Sequence, residues 1–167
     1  MHSNTRNYIT VYGFDEQDFD HLESMVDCSS TDFFHQVVPH LEEWGRVSHI
    51  EMDDLEYDSR AKELSLSCQT KWFGPVGWLR AASCTQFFEN KLMTMATITR
   101  DETHVTGVAA LDRDILQDHV LLELKPEEVG QMYENDEVDE LDELLWKPIN
   151  EFNNECKAAY IVPPEVY

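Results

Sequence analysis

The chain has 167 residues, 42% of them hydrophobic and 11% aromatic, which is enough for one domain with a sizeable core and too apolar for disorder. Lys and Arg number 12 against 34 Asp and Glu, a formal net charge of −22. That balance argues against binding nucleic acid or an anionic membrane through a basic face, and suits a basic protein partner or simple solubility.

In chain order, residues 7–13 (NYITVYG) predict a β-strand, rich in β-branched and aromatic side chains and closed by glycine. Residues 14–26 predict an acidic amphipathic helix with Phe19, Leu22 and Val26 on one face. Ser30-Thr31-Asp32 predicts the cap of a second short helix carrying Phe33, Phe34, Val37 and Val38, with Pro39 as its end. Residues 46–57 predict a strand in which Asp53-Asp54 marks a bulge or an edge. Leu64, Leu66 and Cys68 alternate with Glu63, Ser65 and Ser67, the period of a half-buried strand. Gly74-Pro75 breaks it, and Pro75 opens a helix through Trp78, Leu79 and Ala82. Trp72, Phe73 and Trp78 are expected in the core of this corner, a stacking role for them being the alternative.

Residues 91–100 and 104–111 predict a hairpin, and residues 119–124 one more strand. Pro126 opens a helical region in which Met132, Val138, Leu141 and Leu145 recur at helical spacing. Pro148 is expected to restart a last helix carrying Ile149, Phe152, Cys156 and Ala159.

The NYITVYG strand, the Thr70-Lys71-Trp72-Phe73-Gly74-Pro75 turn running into a helix with Trp78-Leu79, and the later hairpin with Gly107 resemble the YubB-like domain family of bacteriophage and plasmid proteins, over about residues 7–13 and 60–112. The resemblance implies a ferredoxin-like antiparallel sheet with helices on one face and a mobile-element origin, and it implies no catalytic residue. The expected organisation is thus an α+β domain over residues 1–125 with an acidic helical extension, residues 126–167, packed on it.

Little in the sequence names a chemistry. The seven histidines (His2, His21, His35, His40, His49, His104, His119) show no metal-binding spacing, and neither a nucleophile elbow nor a phosphate loop is present. Cys28, Cys68, Cys84 and Cys156 form no CxxC pair, and Cys68 and Cys84 are expected as core thiols. Asp53 and Asp54, with Glu51 and Glu56, are acids of a strand edge that could alternatively ligate a divalent ion. No cofactor and no metal are expected. The first residues lead into no apolar signal segment, and no stretch reaches membrane-spanning length, so the expected location is the cytoplasm, that of the host cell if the protein is phage-encoded.

Charge placement says more. Residues 14–32 hold seven acids and no base, residues 51–58 five acids and no base, and residues 123–143 ten acids against Lys125. Ordinary surfaces mix signs. The expected partner-binding residues are Glu134, Asp136, Glu137, Asp139, Glu140, Asp142 and Glu143, with Asp15, Glu16, Asp18 and Asp20. In a 134–143 helix Val138, Leu141 and Leu145 face inward. The function expected is non-enzymatic: binding the basic surface of a host nucleic-acid-binding protein and inhibiting it by imitating DNA. The alternative is an interaction module, for protein or small ligand, whose charge only solubilises it. A homodimer is compatible with either.

Overall fold

The computed structural model describes residues 4–161; His2 and the end of the expected extension, residues 162–167, lie outside the described residues. Six strands form one antiparallel sheet: β1 (Asn4–Tyr12), β2 (Glu51–Asp58), β3 (Glu63–Lys71), β4 (Met93–Ile98), β5 (His104–Leu111) and β6 (Asp114–Glu123). Their order across the sheet is β2-β3-β1-β4-β5-β6. The helices are α1 (Glu16–Met25), α2 (Phe33–Val37), α3 (Val76–Ala82), α4 (Pro126–Glu134) and α5 (Val138–Tyr160), with a 3-10 turn at Leu41–Trp44. No helix among the described residues is long and apolar enough to cross a membrane.

Alternation on β1 divides the molecule into two layers. Ile9 and Val11 join Leu64, Leu66 and Cys68 of β3 and Met93 and Met95 of β4 against α1, α2 and α3, where Leu22, Phe34, Trp78 and Leu79 close the larger core. Tyr8 and Tyr12 point the other way. There Ala96, Ile98, Val105 and Ala109 meet Leu141, Leu145, Ile149, Phe152 and Cys156 of α5. α1–α3 therefore lie on one face, and α4–α5 cover much of the other. All six residues of β4 are buried, as befits a strand covered on both sides. Gly107 makes room for α5, since a Cβ there would stand 2.9 Å from the Phe152 ring.

Local chemistry accounts for the elements. Asp15 caps α1 by accepting from the Asp18 N–H, and the Asp18 carboxylate accepts in return from the Asp15 N–H, a reciprocal capping box. β2 is an edge strand with its register shift between Met52 and Asp54, so Asp53 is a bulge on an acidic edge.

The structure departs from the sequence reading in several places. Residues 46–50 are irregular, although Val47 and Ile50 are buried. β6 begins at Asp114, five residues earlier than expected, because Asp112 and Arg113 both adopt positive φ and close a two-residue hairpin. Pro148 does not restart a helix: α5 runs through it unbroken, with buried residues on both sides. The carbonyl four residues back belongs to exposed Leu144, where water can replace the missing donor.

α3 packs on the 3-10 turn through Gly77. A Cβ there would lie 2.6 Å from the Trp44 carbonyl carbon and oxygen and 2.8 Å from the Glu43 oxygen, all backbone atoms with little freedom to yield. Gly77→Ala gains about 1 kcal/mol of helix propensity against an overpacking cost of roughly 1–3 kcal/mol. With backbone on the other side the upper range applies, and a net loss of about 1–2 kcal/mol is expected as a lower denaturant midpoint at unchanged slope.

Candidate binding surfaces

The acidic residues singled out from the sequence fall on both layers. Asp15, Glu16, Asp18 and Asp20 belong to α1 and its cap, on the face opposite α5. Asp15 and Asp18 carry the capping box, and Asp18 pairs with Lys91 at 3.1 Å. Asp15 and Glu16 share a hollow with Arg60 and Lys62 from the β2–β3 turn. This stretch lacks bases in sequence but meets three in space.

The second group has no such neutralisation. Glu134 ends α4, Asp136 sits in the connection with φ of 57°, and Glu137 precedes α5. Asp139, Glu140, Asp142 and Glu143 occupy the first turns of α5 and are exposed. Among the described residues, no carboxylate in 127–143 pairs with a Lys or Arg. The region 134–143 is not one helix, and Val138 is 41% exposed instead of facing inward, because α5 only begins there; Leu141 and Leu145 are buried as expected. Tyr133 and Leu144 are exposed as well, so the acids are interleaved with apolar side chains. On the same side of the sheet, Asp54 and Glu56 of β2 line a groove of about 310 Å³ with Trp146, Ile149 and Asn153 of α5.

A separate surface lies where β3 ends. Trp78 is fully buried, as expected, but Trp72 is 63% and Phe73 49% exposed, against the expectation of core packing. Continuing the alternation of β3 would have put Trp72 inward with Thr70. Its positive φ of 71° ends the strand and turns the indole out. For a bulky residue this backbone conformation is an outlier that costs of order 1–3 kcal/mol.

A buried polar network fixes the loop. The Asn7 amide donates to Thr70 Oγ1 at 2.9 Å and accepts from Thr97 Oγ1 at 2.9 Å. Thr70 Oγ1 in turn donates to the Phe73 carbonyl and lies 2.8 Å from Thr5 Oγ1. Gly74 passes so close that a Cβ would meet Thr97 Oγ1. Trp72 is the common wall of two hollows. One, of about 600 Å³, is lined by Thr5, Thr99, Arg100, Asp101, Thr103 and His104. The other, of about 290 Å³, includes Arg46, His49, Glu51, Gln69 and Lys71. The Arg46 guanidinium carbon stands 5.1 Å from the centre of the Phe73 ring. Arg46, Lys71, Arg100 and Asp101 escaped the sequence reading. Only the adjacency of Lys71 to Trp72 hinted at them.

Cys68 and Cys156 are buried, whereas Cys84, expected as a core thiol, is only half-buried just past the end of α3, and Cys28 is half-buried too. Burial pushes Cys68 up to about 12 and Cys156 to about 11, and it raises Cys28 with help from Glu23 and Asp27. Attack requires thiolate, which these shifts suppress at neutral pH. Among the described residues no three His, Cys, Asp or Glu side chains converge on a metal position. Both oxygens of Asp53 take the Gln69 amide, at 3.0 and 3.2 Å. Cys28 and Asp53 line a hollow of about 820 Å³, an open and acidic trough beside exposed Met25.

Comparison of the chain with protein-family models, with curated proteins and with solved structures finds no match in any of the three.

Proposed function

We propose that this protein is a non-enzymatic accessory factor of a phage or plasmid that binds the basic, nucleic-acid-binding surface of a host protein in the cytoplasm and inhibits it, the carboxylates of α4–α5 standing where phosphates would. The observation that carries this reading is the unpaired acidic run of residues 127–143 with Tyr133, Val138 and Leu144 exposed among its members. Exposed apolar side chains set among unpaired carboxylates supply the two ingredients of a protein interface, apolar contact and a charged rim. α5 is about 34 Å long at 1.5 Å per residue, long enough to span a sizeable interface.

A ferredoxin-like type for the first four strands is part of the same proposal. β1-helices-β2-β3-α3-β4 with spatial order β2-β3-β1-β4 supports it, being a split β-α-β arrangement to which β5 and β6 add a meander. The same arrangement supports affiliation with the YubB-like proteins and the reading of α4–α5 as an acidic extension to that unit.

Replacing Glu137, Glu140 and Glu143 together by Gln removes three charges and keeps helix propensity and shape. With the partner captured from host lysate, the variant is expected to bind about fivefold more weakly, three rim charges contributing a few tenths of a kcal/mol each. Its affinity should also depend less steeply on salt, and DNA should displace the parent protein. Unchanged affinity with no salt dependence would reduce the acidic face to a solvated surface.

A further inference from the structure

We propose that the Trp72 ridge is a binding site for a mononucleotide, with the base stacked on the exposed indole and the phosphate held by Arg46 and Lys71 or by Arg100. The site is independent of the acidic face, since Trp72, Phe73 and these bases lie at the end of β3 and in the loops beside it.

Three observations converge on it. The first is cost without structural return. Trp72 is exposed and adopts a left-handed backbone, and neither property helps the fold. A buried network of polar side chains holds the following carbonyl in place, so the indole is presented on a fixed support. Strain of this kind persists where a loop is held for a ligand.

The second is charge. In a chain with 12 bases and 34 acids, Arg46, Lys71 and Arg100 line the two hollows that Trp72 divides. None of the three has a carboxylate partner among the described residues. A guanidinium ligand would face these bases, whereas an anion would be received by them. Exposed indole selects a planar ring, and the pair of features selects an aromatic anion.

The third is hydrogen bonding. Asp101 Oδ1 accepts from the Thr99 hydroxyl at 2.8 Å, the Thr103 hydroxyl at 2.7 Å and the Thr103 N–H at 3.3 Å. These bonds, the Thr103 hydroxyl foremost, hold its carboxyl below the usual range. Oδ2 makes no bond among the described residues and is an acceptor for an exocyclic amino group of a base. Hollows of about 600 and 290 Å³ suit a ligand of this size. Three bases, Arg46, Lys71 and Arg100, in a chain of net charge −22 give a basic area suited to one phosphate group and offer no continuing track for a polynucleotide backbone.

The test uses the full chain, AMP and CMP as probes, and adenosine and ribose 5-phosphate as halves of the ligand. Trp44 and Trp78 are buried and Trp146 half-buried, so quenching of the exposed indole reports stacking. Saturable quenching by AMP or CMP is expected, with a dissociation constant on the order of 0.1–1 mM by calorimetry. Each half of the ligand should bind at least about tenfold more weakly. Trp72→Leu should abolish binding, and Arg46→Gln with Lys71→Gln and Arg100→Gln should weaken it about tenfold, all with the parent's melting temperature. The Gln triple at 137, 140 and 143 should bind AMP as the parent does, which separates this site from the acidic face. Ribose 5-phosphate binding as well as AMP, AMP binding unchanged by Trp72→Leu, or no heat at millimolar AMP overturns the proposal.

Discussion

Trp78→Ala should destabilise the fold by about 3–5 kcal/mol, enough to lower the melting temperature of a chain this size by roughly 6–20 °C. Trp78 has no exposed surface, packs edge-on to Phe34 with ring centres 4.8 Å apart, and donates its indole N–H to the Phe34 carbonyl at 2.8 Å. Most of the loss comes from the cavity, since the Phe34 carbonyl keeps the Val38 N–H at 3.0 Å when the indole is gone. Total stability of a single domain is only about 5–15 kcal/mol, so much of it goes with this one ring. The neighbouring indole behaves oppositely. Trp72→Gly removes an exposed side chain and relieves a left-handed backbone at the expense of chain entropy, with a net effect between zero and a gain of about 1 kcal/mol. Equal melting losses in the two variants would mean that Trp72 is packed and that the exposed ridge does not exist.

The two tryptophans show where sequence pattern carries information and where it stops. Alternation in β3 is legible because Leu64, Leu66 and Cys68 share one side and Glu63, Ser65 and Ser67 the other. β1, with Ile9 and Val11 in one core and Tyr8 and Tyr12 towards the second, is legible only from its β-branched and aromatic content. Asp53-Asp54 marks an edge or bulge because a strand inside the sheet would bury one of the two acids. β4 was placed but not its double burial, although Met93–Ile98 carries no charged residue at all, which is the sign of a strand covered on both faces. The start of β6 was missed because Asp-Arg is a poor advertisement for a turn with two positive φ angles, where Asn-Gly is the usual signal. Pro148 suggested a break because local propensity favours one, yet Leu145, Ile149 and Phe152 anchor α5 on either side of it and tertiary packing prevails. The acidic stretches were visible as runs, but their counter-charges were not. Lys91 reaches Asp18 from 73 residues away in sequence, and only folding distinguishes that neutralised group from the unpaired one on α4–α5. The Trp72 ridge was hidden for the same reason. A single left-handed residue reverses the parity of the strand, and no periodicity announces it.

Asn7 is where fold and ridge meet, and replacing it should have the second largest effect. It is fully buried, and its amide links β1 to Thr70 on β3 and to Thr97 on β4. Asn7→Ala leaves the Thr97 hydroxyl without its acceptor and Thr70 Oγ1 without one donor. At about 1–3 kcal/mol for each buried group left unpaired, a loss of roughly 2–4 kcal/mol is expected. Asn7→Asp keeps the shape and exchanges a donor for an acceptor that faces Thr70 Oγ1 and the Cys68 carbonyl, 3.4 Å away. Only a protonated carboxyl can donate there, and burial also opposes ionisation, so its folded pKa must rise above the ordinary value of about 3.9. The unfolded carboxyl then loses its proton near pH 4 while the folded one retains it. Stability of the variant relative to the parent is therefore greatest below about pH 4 and declines as pH rises towards the raised value. Melting both proteins between pH 4 and 8 should show a gap that widens with pH. The Trp72 indole should lose its fixed setting along the same curve, because the Thr70 hydroxyl that holds the Phe73 carbonyl is the group Asn7 supports. A gap that stays flat with pH would place residue 7 in contact with water and detach the ridge from the buried network.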